Sequence, residues 1–126
     1  MKIKYKYGLL LVGISLTFKG KSIVIENMVV DTGAARTLIS QHVVEEIGLG
    51  VDLEDRIVTY YGIGGKEHAF RKRVDKIQVG EFTVEEMELD FNDFGYDDIN
   101  GLLGLDLLMK SGYIIDLSQL QMNKSN

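Results

Sequence analysis

Two apolar runs constrain this chain more than anything else in it: Leu9 to Phe18 and Ser22 to Val30, separated by Lys19-Gly20-Lys21. Such runs around a lysine-glycine-lysine turn predict a strand, a tight return and a second strand. The second run ends directly on Asp31-Thr32-Gly33-Ala34. A carboxylate therefore stands where buried β structure ends, followed by a glycine that allows the chain to turn sharply.

The rest of the chain repeats the β theme. Ile3, Tyr5 and Tyr7 alternate with lysines ahead of the first run, as in another strand. Ser40 is placed to cap a short helix running through Ile47, with Gly48 as its stop. Ile57 to Tyr61 and Ala69 to Val79 read as strands around Gly62-Ile63-Gly64-Gly65-Lys66, a glycine-dense hairpin tip. After a turn at Gly80-Glu81, Phe82 to Phe91 reads as a strand with an acidic exposed face, and Asn92 to Asn100 as a polar loop. Gly101-Leu102-Leu103-Gly104 then leads into a short helix capped by Asp106 and ending near Gly112, and Tyr113 to Met122 forms a final strand. The expected fold is mainly β, with one or two short helices, in a single domain over residues 1–126; its core spans about residues 9–120, and residues 123–126 form a loose tail.

Composition narrows the function classes. With 45% hydrophobic residues in 126, the chain has enough apolar side chains for one modest core. A formal charge of −5, with positive residues spread along the sequence, argues against a nucleic-acid partner. The absence of cysteine removes disulfides, thiolate zinc sites and a cysteine nucleophile. Lys2, Lys4 and Lys6 ahead of Gly8 to Leu16 have the charge order of a secretory signal. Glycine interrupts that stretch, no small-residue cleavage site follows, and it falls short of the ~20 residues that span a bilayer. The expectation is a soluble cytoplasmic protein without a membrane partner, an exported form being the alternative.

Peptide hydrolysis by carboxylates needs two of them sharing one proton, so that one takes a proton from water while the other donates to the carbonyl oxygen. Asp31 suits such chemistry, because the apolar strand before it holds it, and the turn exposes it and offers main-chain N–H groups to its oxygens. Alone, Asp-Thr-Gly is also what an ordinary turn looks like.

Its companions are more telling. An apolar strand, Asp31-Thr32-Gly33-Ala34, a short helix, a glycine-rich hairpin and Leu102-Leu103-Gly104 followed by Leu105-Asp106-Leu107-Leu108 together resemble the retropepsin family of aspartic peptidases, from about Leu9 to Leu120. The resemblance implies a closed, barrel-like acid protease fold with one lobe per chain. It implies Asp31 as the catalytic aspartate, Thr32 bonding across a dimer axis, Gly33 and Ala34 along the substrate, and Leu103 beside the cleft. It also implies a flap at Gly62, Ile63 and Gly64 closing over bound peptide. Because the chain has one Asp-Thr-Gly, the resemblance implies a homodimer with one Asp31 from each copy, acting on a peptide or protein substrate without cofactor or metal. Many viral members carry an acidic residue after the Asp-Thr-Gly-Ala tetrad and an arginine after the apolar-apolar-Gly glycine. Here Ala35 and Leu105 stand there, so both halves of that ion pair are missing together and neither is left as an unpaired charge. The pattern looks like a cellular member, with Met1 to Tyr7 unmatched.

Other motifs carry less. Asp90-Phe91-Asn92-Asp93 begins like a calcium loop but lacks its closing Glu, Gly101 standing there, and Asp90 to Asp98 reads as a solvated acidic rim. His42 and His68 have no companion at zinc-ligand spacing, and Ser22, Ser40 and Ser118 have no nucleophile elbow. The rival reading is a noncatalytic β module binding extended peptides, since a fold can outlive its chemistry.

Overall fold

The computed structural model describes residues 1–62, 65–93 and 98–124. In chain order its elements are β1 (Lys4–Lys6), β2 (Leu9–Phe18), β3 (Lys21–Val30), β4 (Leu38–Ser40), a 3-10 turn (Glu45–Ile47), β5 (Arg56–Gly62), β6 (Gly65–Val79), β7 (Phe82–Asn92), β8 (Gly101–Leu103), α1 (Leu105–Ser111), β9 (Tyr113–Asp116) and β10 (Gln121–Lys124). Strands pair in the order β1-β2-β3-β8-β4-β7-β6-β5, and β2 also pairs with β6. That extra pairing closes β2, β3, β8, β4, β7 and β6 into a ring, leaving β1 and β5 as outer strands. The mainly β, barrel-like architecture expected from the sequence is the one found.

Alternation explains the ring. Val12, Ile14, Leu16 and Phe18 of β2, Val74 of β6, and Met87, Leu89 and Phe91 of β7 all point into one core. Phe70 and Phe91 stack across β6 and β7 with ring centroids 5.4 Å apart. Each such fully buried side chain stabilises the fold by roughly 1.5–3 kcal/mol. The β2–β3 register slips between Val12 and Ile14, a β-bulge that interrupts the ladder before β3 ends.

Several expectations need correction. Ser40 does not cap a helix: it ends β4, its hydroxyl accepts a bond from the His42 N–H at 3.3 Å, and the 3-10 turn begins later, stopping at a left-handed Gly48. Leu38 to Ser40 pair with β7 and β8, and that pairing outweighs helix capping at the serine. Asp106 lies inside the first turn of α1, whose cap is Gly104, because its carboxylate is taken by Thr37. The final strand is a hairpin: Asp116 accepts bonds from Ser118 and Gln119 and turns the chain between β9 and β10. Asn123 and Lys124, expected in a loose tail, pair with Ile114 and Tyr113. Met1 to Ile3 bind this hairpin through main-chain bonds between Ile3 and Leu120 and between Met122 and Met1. Among the described residues no helix is long and apolar enough to cross a membrane.

Candidate active site

Strand β3 delivers Asp31. Its last residues run parallel to β8, Val30 beside Leu103, and the Asp31 N–H donates to the Leu103 carbonyl at 3.0 Å. Beyond that anchor the chain turns, with the Ala34 N–H on the Asp31 carbonyl at 3.2 Å and the Gly33 N–H on Asp31 Oδ1 at 2.9 Å. The Gly33 bond is the only one made to the Asp31 side chain among the described residues. Asp31 is half-buried, while Thr32 and Gly33 are exposed. The carboxylate is thus held at its base and open at its tip, with lone pairs free to engage water or a second acid.

The support beneath the loop is more elaborate than the sequence suggested. Leu105 N–H donates to the Ala34 carbonyl at 2.8 Å and Asp106 N–H to that of Ala35 at 3.2 Å, so α1 begins against the loop backbone. Gly104 is required there, because a Cβ would lie 2.6 Å from the Arg36 carbonyl carbon and 2.9 Å from the Ala34 oxygen. Thr37, fully buried, gives its N–H to both Asp106 oxygens at 3.0 Å and its hydroxyl to Oδ1 at 2.7 Å, while Thr37 Oγ1 accepts the Gly104 N–H at 3.0 Å. These bonds clamp the loop's two ends, Leu105 meeting Ala34 and Ala35 meeting Asp106 through main chain.

Leu103 corrects an expectation. Its side chain is fully buried in the core, so it cannot line a cleft in this chain; its carbonyl, which seats Asp31, is what it contributes. Ala34 is half-buried beside Asp31. Gly62 closes β5, paired with Gly65 of β6, whereas Ile63 and Gly64 lie outside the described residues.

A second aspartate was missed. Asp90, read from sequence as the start of a solvated acidic rim, is fully buried on β7. Arg71 donates Nε to Oδ1 at 2.7 Å and Nη2 to Oδ2 at 3.1 Å, Arg36 Nε donates to Oδ2 at 3.2 Å, and the Tyr60 hydroxyl also donates to Oδ2. Burial pushes the Asp90 pKa up, but the bonds from Arg71 and Tyr60 and the charges of Arg36 and Arg71 outweigh it and hold the carboxyl below its usual range. Burial, then the bond to Asp90, drives the Tyr60 phenol well above its usual value, so it stays neutral. The cluster ties β5, β6 and β7 to the end of the Asp31 loop. It also removes Asp90 from any calcium reading.

Among the other singled-out side chains, His42 lies between Asp93 at 2.6 Å and Glu45 at 3.4 Å, and His68 Nδ1 meets Thr59 Oγ1 at 3.1 Å. Ser22 bonds Thr17, and Ser118 bonds Asp116. Among the described residues no group of metal-ligating side chains converges.

Comparison with known proteins gives a family and a fold. Residues 14–107 match the family model described as aspartyl protease. No curated protein matches the chain. Among solved structures, a retropepsin-like aspartic protease from Rickettsia conorii superposes with a TM-score of 0.69 at 21% identity, covering 98% of this chain and 88% of that one.

Proposed function

Because the chain belongs to the aspartyl protease family, we propose that it is an endopeptidase whose active site is completed by a second copy of itself, one Asp31 coming from each. One observation carries this reading: each chain offers one Asp-Thr-Gly turn, anchored at its backbone and open at its carboxylate tip. One open carboxylate cannot be acid and base at once; two related by a twofold axis can share a proton.

In this mechanism a water between the two Asp31 carboxylates gives a proton to the ionised one as its oxygen attacks the scissile carbonyl carbon. The protonated partner donates to the carbonyl oxygen, and a proton then passes to the leaving nitrogen as the C–N bond breaks. No covalent intermediate forms. Thr32, exposed at the turn, serves the contact between the two loops, and Gly33 and Ala34 offer backbone to an extended substrate. The β5–β6 hairpin acts as the flap.

The test is cleavage of a mixed peptide library between about pH 4 and 7 by the wild-type and Asp31→Asn proteins, with a pepstatin-type inhibitor as control. The reading expects cleavage that the inhibitor and the substitution both abolish. Undiminished cleavage by Asp31→Asn would sink it.

A further inference from the structure

All four arginines of the chain, Arg36, Arg56, Arg71 and Arg73, meet on one face. Register puts them there: Arg56 stands opposite Arg71, Arg71 opposite Asp90, and Arg73 opposite Glu88. Phe70, Lys72 and Val74, on the other face of β6, are buried. Arg36 arrives from the end of the Asp31 loop, with Nε on Asp90 and Nη2 on the Glu88 carbonyl at 3.1 Å.

All four guanidinium groups gather around two carboxylates, Asp90 and Glu88, on a chain whose formal charge is −5, with Glu67 and Asp75 farther along the same face of β6. Asp90 is consumed by Arg71 and Arg36, and Arg73 reaches Glu88 only at 3.4 Å with its side chain 55% exposed. Arg56 is exposed, with no carboxylate partner among the described residues. Ordinary solubility would be served by lysine, which the chain uses elsewhere; planar guanidinium groups are suited to gripping carboxylates two oxygens at a time.

We propose that this arginine face is a substrate-recognition site that selects peptides carrying Asp or Glu, the twofold symmetry of the pair placing one copy of the face on each side of the scissile bond. Arg36 is five residues beyond Asp31, at most roughly 18 Å of extended chain. The acidic side chain therefore falls within about five residues of the cleaved bond on an extended substrate. Buried Asp90 holds Arg36 and Arg71 in place, Arg73 is steadied by Nη1 on the Glu86 carbonyl and Nη2 on Glu88, and the exposed Arg56, with the remaining N–H of Arg73, supplies donors. The inference rests on the peptidase reading for the location of the scissile bond, but not for the binding itself.

The test uses Asp31→Asn protein, which separates binding from cleavage, and fluorescein-labelled decapeptides with a central Leu-Phe pair and either Glu or Gln at each flanking position in turn. By fluorescence anisotropy, Glu at one or two positions, at matching distances on either side of the pair, should bind about tenfold tighter than Gln, an advantage that shrinks with salt. Adding Arg56→Gln and Arg73→Gln, both surface changes that spare the Asp90 cluster, should bring the Glu peptides down to the Gln peptides and leave the latter unchanged. Equal binding of Glu and Gln peptides, no binding of either, or tighter binding of a single-stranded oligonucleotide would overturn the proposal. Wild-type cleavage without a Glu preference would remove this site and keep the peptidase; a Glu preference in binding without any wild-type cleavage would do the reverse.

Discussion

Asp31 and Asp90 are the same residue used in opposite ways. Asp31 accepts one side-chain bond, from its own turn, and keeps its tip at the surface. Asp90 has no exposed side-chain surface and accepts bonds from two arginines and a tyrosine. A carboxylate meant for chemistry must keep unsatisfied lone pairs and tolerate both protonation states, while one meant for structure is saturated and fixed in its charge. Under the proposed function, the contrast teaches that burial and satisfaction, not the motif alone, separate the two carboxylates in this chain.

Substitution sharpens the contrast. Asp31→Asn should cost at least about 10³-fold in peptide cleavage and leave thermal stability nearly unchanged, which parallel activity and melting measurements would check. Asp90→Asn should do the reverse, destabilising by about 3 kcal/mol in urea unfolding because Arg36 and Arg71 lose their anion. Its pH dependence has a definite sign. The folded-state pKa of Asp90 lies below the ordinary 3.8, so the carboxylate's contribution is present above that value and lost as pH falls through it toward the folded-state pKa. Asp90→Asn should therefore flatten the acid limb of the stability profile, and an unchanged limb would remove Asp90 from the account.

Smaller effects are expected beneath the loop. Gly104→Ala should cost about 2 kcal/mol, since the new methyl meets backbone that cannot rotate away. Thr37→Val should cost about 1–2 kcal/mol through its lost bonds to Asp106 and Gly104, and should lower cleavage only as far as the loop loosens.

The β runs and the Asp31 turn were legible because alternation and a glycine are local signals. Strand β2 begins and ends where its apolar run does. What stayed hidden depends on distant partners. Asp106 looked like a helix cap because local rules offered no view of Thr37, 69 positions away, although a lone acid within Leu105 to Leu108 did call for a partner. Asp90 sits at a position that alternation assigns to the outer face, and Tyr60, Arg71 and Arg36 close over it there. Leu103 illustrates the converse, a resemblance that located the right segment but misassigned its side chain. The C-terminal hairpin was read as one strand because the turn at Asp116 has no glycine to announce it.

The most direct test of the central claim is to mix wild-type and Asp31→Asn chains at fixed total concentration, allow exchange, and follow cleavage of a single peptide. A site built from two Asp31 carboxylates predicts activity falling as the square of the wild-type fraction, to roughly one quarter in an equal mixture. Activity proportional to the wild-type fraction would mean that each chain carries a complete site, and would contradict the account.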